Sequence, residues 1–87
     1  MYEKMTQEQR DLLYELAEWY CKQFHNEMVD SWTFNEYQVG RECNTKIAEL
    51  ENKHRELYGE LPEWKSMEHV WAAKKEMRKY MNKEDNQ

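Results

Sequence analysis

Two glycines and one proline in 87 residues leave almost no material for tight turns. A many-stranded β fold needs turn chemistry roughly every 8–12 residues, so this chain must be built from a few long elements. The breakers are also grouped: Gly59 and Pro62 lie three residues apart, and only Gly40 falls elsewhere. Helices joined at one or two points are the architecture this permits.

Their ends are marked. Thr6-Gln7-Glu8-Gln9 fits a capping box, with Thr6 at N-cap and Gln9 at N3. Leu13, Leu16, Ala17, Tyr20 and Phe24 then share one face at the helical repeat, and Asp11, Glu15, Glu18 and Lys22 lie opposite. Thr33-Phe34-Asn35-Glu36 forms a second box, stapled by Trp32 and Tyr37. The helix that follows carries Gly40, Cys43, Ile47, Leu50, His54, Leu57 and Leu61 at 3-4 spacing and stops at Gly59, a residue suited to the left-handed C′ position. Its other side pairs Glu42/Lys46, Glu49/Lys53 and Glu51/Arg55, each acid before base at i,i+4. A third helix starts at Pro62 or, capped by Ser66, at Met67. Met67, Val70, Lys74, Met77 and Met81 form its stripe, with Lys74 expected to lift its ammonium to the edge.

The spacing predicts an all-α, antiparallel three-helix bundle, with helices over about 7–28, 34–58 and 62/67–82 in up-down-up order. One helical domain fills 1–87, residues 1–5 and 83–87 being read as frayed. The stripe of the second or third helix would also serve a homodimer.

Composition qualifies this. Leu, Ile, Val and Phe number twelve of 87, below the ~20% at which disorder becomes a competing reading. Four Trp, six Tyr and six Met offset the deficit, and a net charge of −5 is too small to force expansion. The core should be weighted toward aromatics and methionine. No apolar run approaches the ~20 residues of a membrane span, the first residues lack signal-peptide character, and two cysteines suit free thiols better than a disulfide framework. A cytoplasmic protein with no membrane association is expected.

Catalytic equipment is sparse. Ser31, Ser66, Thr6 and Thr33 all sit at helix starts, where capping explains them. Two isolated glycines make no phosphate loop. Cys21, His25 and Cys43 can approach across a hairpin, but His54 lies eleven residues beyond Cys43 and cannot complete a metal set. His54 itself reads as a seam histidine bonded to a polar neighbour. The sequence therefore predicts no enzyme, no cofactor and no metal.

Partner surface is better supplied. Met28, Val29, Trp32, Phe34 and Tyr37 crowd around the first interhelix connection, more than a staple needs. Trp64 and Trp71, seven apart, share an edge with Arg78, and these are residue types enriched at interface hot spots. The other reading of Trp64 and Trp71 is that they fill the wedge between helices. The leading expectation is a small non-catalytic protein-binding module, an inhibitor or adaptor acting by steric occupation of a partner surface through Trp32, Phe34, Tyr37, Trp64, Trp71 and Arg78. A phage, viral or other mobile-element origin fits its size and composition. The alternative is a nucleic-acid-associated regulator using Lys75, Lys79 and Lys83. Acidic balance opposes it, and Glu68 and Glu76 interrupt that face. A structural subunit stable only when assembled is the third reading.

Overall fold

The computed structural model describes residues 2–27 and 34–81, with the side chains of Glu27, residues 34–37 and Met81 set aside. The described residues form three α-helices: α1 (Gln7–Glu27), α2 (Phe34–Tyr58) and α3 (Met67–Met81). No strand occurs among the described residues. The all-α three-helix bundle expected from the sequence is therefore the fold.

Thr6 caps α1 as its position requires, its Oγ1 accepting the Gln9 N–H at 3.1 Å. The box is only half closed. The Gln9 amide does not turn back to Thr6 but reaches His54 on α2, with its Nε2 3.3 Å from the imidazole Nε2. α2 begins directly after Thr33; that cap and the Trp32–Tyr37 staple lie outside the described residues. At its other end α2 closes on Gly59, whose φ of 91° places it in the left-handed region and whose N–H bonds the Arg55 carbonyl at 3.2 Å. This is the αL cap. His54 reinforces it: Nδ1 lies 3.1 Å from the Gly59 carbonyl, which can only accept. Nδ1 therefore carries the proton and Nε2 is left to accept from Gln9. The ring is 1% exposed, so both nitrogens are satisfied where water cannot reach them.

α1 is the shared element. Leu12, Leu13, Leu16 and Ala17 are all buried, and the adjacent pairs widen its apolar stripe to about 140°. α2 and α3 both pack on α1, with no comparable interface between themselves. Cys43, Ile47 and Leu50 of α2 and Val70, Ala73 and Met77 of α3 complete one core with it. Ala73, not Lys74, holds the seam position on α3. Lys74 lifts its ammonium as expected, 5.5 Å from the centre of the Tyr14 ring.

The contacts also fix direction, and here the expected up-down-up order is corrected. Gln23 bonds Asn44 and Gln9 meets His54, so α2 runs antiparallel to α1. Cys21 meets Met67 at 3.8 Å, Arg78 bonds Tyr14, and Arg10 stacks on Tyr80 at 5.2 Å. α3 is therefore antiparallel to α1 as well, and parallel to α2. Residues 59–66 must carry the chain from beside Gln9 to beside Cys21, about 18 Å along α1. Eight extended residues reach about 26 Å, so the connection suffices because α3 starts at Met67 and not at Pro62.

The expectation of a frayed N-terminal segment is corrected over residues 2–5, while Met1 and residues 83–87 lie outside the described residues. Tyr2–Lys4 form a 3-10 turn and Tyr2 is buried. Arg10 holds this segment by donating to the carbonyls of Tyr2 at 2.9 Å and Met5 at 2.7 Å. Trp64 Nε1 donates to the Tyr2 hydroxyl at 3.0 Å. No local sequence signal announces an anchor that comes from residue 64.

A Cβ built on Gly59 meets nothing within 4 Å, so the cost of substitution is confined to the backbone. Gly59→Ala should destabilise the fold by about 1 kcal/mol, and Gly59→Asn by less. Urea melts of the three proteins check this, and equal stability of all three would remove the cap from the account.

Candidate partner-binding surface

The antiparallel α1–α3 pair presents one flank on which several of the expected site residues meet. On α3, Met67, Trp71, Lys74 and Arg78 follow one another at 3-4 spacing beside the buried stripe. Trp71 is 56% exposed. Arg78 donates from Nε and Nη2 to the Tyr14 hydroxyl at 3.1 and 2.9 Å, and its guanidinium carbon lies 5.9 Å from the centre of the Tyr14 ring. Tyr14 thus takes two cations, Lys74 on its ring and Arg78 on both ring and hydroxyl. Sequence reading missed Tyr14, since only the direction of α3 brings it to Arg78.

Above Trp71 the flank runs into a groove of about 320 Å³ lined by Tyr20, Phe24, Trp64, Met67 and Val70, with Lys65 on its rim. The crossover ends beside Cys21, so Phe24, one turn further along α1, is left 39% exposed. Phe24 is a stripe residue that outlasts its cover.

Trp64 and Trp71 do not share an edge. Trp64 belongs to the crossover, so the seven-residue helical relation between them does not exist. Trp64 packs edge-on to Tyr20, with ring centres 6.0 Å apart, and bonds Tyr2. It is a wedge residue that also walls the groove. Trp32 lies outside the described residues, as do the side chains of Phe34 and Tyr37.

Lys75 and Lys79 are exposed on the outer side of α3, along a hollow that also holds Glu63, Glu76 and His69. Lys83 is outside the described residues. Cys21 faces Met67 of α3 and Cys43 is fully buried in the core, both as free thiols. No group of three His, Cys, Asp or Glu among the described residues is arranged to hold a metal. No described helix is long and apolar enough to cross a membrane. Searches of family models, curated proteins and solved structures return no match to this chain.

Three groups here favour their neutral forms. Burial raises the Tyr20 hydroxyl well above its usual 10.0, helped by the hydrogen bond it donates to Glu51 and by that carboxylate's charge. Burial likewise raises Tyr2 and the Cys43 thiol. Each folded value lies above its unfolded one, so each contribution is intact below the unfolded pKa and is lost as pH rises through the folded value. Stability should therefore hold steady from neutral pH up to the unfolded thiol range near 9.0 and decline above it. Tyr20→Phe should flatten the decline above pH 10.0. Thermal melts across pH 7 to 11 test this, and a Tyr20→Phe protein that declines as steeply as the parent would contradict it.

Proposed function

We propose that this protein is a non-catalytic protein-binding module that acts by occupying a surface on another macromolecule. The observation that carries the reading is Trp71, more than half exposed on a helix whose neighbours are fixed from beneath. A large indole in water is costly to leave uncovered and gains most when a partner covers it. Phe24 and the groove wall extend the apolar surface from the same end of α3, while Tyr14 and Arg78 add two more residue types common at interface centres. Inhibitor and adaptor are the roles such a surface serves, since both work by contact alone. Of the aromatic residues that the sequence nominates, Trp71 carries the docking and Trp64 supports it from within the fold.

The nucleic-acid reading draws less support. Lys75 and Lys79 share their hollow with Glu63 and Glu76, which weakens the phosphate neutralisation such binding rests on.

Trp71→Ala and Phe24→Ala should leave the melting temperature within a few degrees of the parent, because both side chains are exposed. Capture of a protein partner from source-cell lysate should fall about tenfold or more in the pair. Trp64→Ala should instead cost stability, by about 3 kcal/mol. Undiminished capture by a stable Trp71→Ala/Phe24→Ala protein would end this reading.

A further inference from the structure

The flank of α3 that carries Trp71 has a chemical bias beyond exposure. Arg78 commits Nε and Nη2 to Tyr14 and leaves Nη1 without a partner among the described residues. The Tyr14 oxygen accepts both of those bonds and keeps its own O–H to give. Lys74 Nζ has the Tyr14 ring as its contact, and neither Lys74 nor Arg78 lies within ion-pair distance of a carboxylate among the described residues. The Trp71 indole N–H is a fourth donor, with no acceptor of its own there. The groups that Tyr14, Trp71, Lys74 and Arg78 leave free are all donors, and two of them are cationic.

We propose that the Tyr14–Trp71–Lys74–Arg78 flank binds an acidic segment of a partner protein, an apolar side chain covering Trp71 while neighbouring carboxylates meet Lys74 and Arg78. This rests on the protein-binding reading and names the partner's chemistry. Charge complementarity supplies the direction: acceptors with negative charge are what four free donors and two unneutralised cations require. Preorganisation supplies the gain. Both cations are held against Tyr14 before any partner arrives, so less side-chain freedom is lost on binding. The extent of the positive region selects a peptide over a polyanion. Only two cations converge on Tyr14, while Lys75 and Lys79 turn toward the hollow that holds Glu63 and Glu76. The adjoining outer face of α1 carries Asp11, Glu15 and Glu18, so a short acidic segment matched to two cations fits where a longer phosphate backbone would run onto carboxylates.

The test is fluorescence anisotropy on the full chain with three labelled probes. The first is a peptide with one phenylalanine flanked by glutamates, the second its glutamine counterpart, the third a single-stranded oligothymidylate of matched charge. The glutamate peptide should bind about tenfold or more tightly than the glutamine peptide, weaken with added salt, and outcompete the oligonucleotide. Lys74→Gln/Arg78→Gln should erase that preference, whereas Lys75→Gln/Lys79→Gln, the same charge change on the outer side of α3, should keep it. Equal binding of the two peptides, equal loss in both double variants, preference for the oligonucleotide, or no peptide binding would each overturn the proposal. If the peptides bind equally and Trp71→Ala abolishes both, the protein-binding surface stands and only its acidic preference falls.

Discussion

The breadth of the apolar stripe on α1 is the constraint from which the rest follows. Leu12 and Leu13, then Leu16 and Ala17, are buried side by side, and a helix with that much apolar width cannot be covered by one neighbour. Two helices therefore pack on it from different sides without meeting each other along their lengths. The space left between them is filled by pieces with little secondary structure of their own. Tyr2 comes from the N-terminal turn and Trp64 from the crossover, hydrogen-bonded to each other. A chain poor in aliphatic residues thus completes its core with aromatics whose polar tips are paired.

The end of α2 then decides where α3 goes. Gly59 stops the helix, and His54 joins that stop to Gln9 at the start of α1. From there the chain runs back along α1 before Ser66 opens the next helix, its carbonyl taking the N–H of Val70 at 3.3 Å. Because α3 descends where a short turn would have made it ascend, Arg78 and Lys74 fall beside Tyr14 near the beginning of α1. The proposed binding flank is a product of that reversal. In the opposite direction the same residues would face the other end of α1, and the donors would not converge.

Element boundaries were legible because they are local. Thr6, Gly59 and Ser66 act within a few residues of themselves, and periodicity located Leu13, Leu16, Cys43, Ile47, Leu50, Val70 and Met77 in the core. Direction was not legible, because punctuation marks where a helix ends but not which way the next one points. Of the two starts the sequence offers for the third helix, Pro62 leaves a connection too short to cross α1, whereas Met67 leaves eight residues to cross it and takes Trp64 off the helix that carries Trp71. Gln9 shows a subtler limit. Its position satisfies the capping box, yet a buried imidazole 45 residues away competes for its amide and wins. The anchoring of Tyr2 escapes local sequence signals for a similar reason, since the groups that hold it belong to Arg10 and Trp64. The candidate surface was half legible: Trp71 and Arg78 follow from residue type and spacing, whereas Tyr14, Lys74 and Phe24 depend on packing.

The antiparallel pairing of α1 with α3 is the claim on which both the core and the proposed surface stand. Nuclear Overhauser contacts on the labelled full chain measure it directly. The account predicts cross-peaks from the Met67 methyl to the Cys21 β-protons and from the Tyr80 ring to the Arg10 side chain. Cross-peaks joining Cys21 to Tyr80, or Arg10 to Met67, would place α3 in the opposite direction and contradict it.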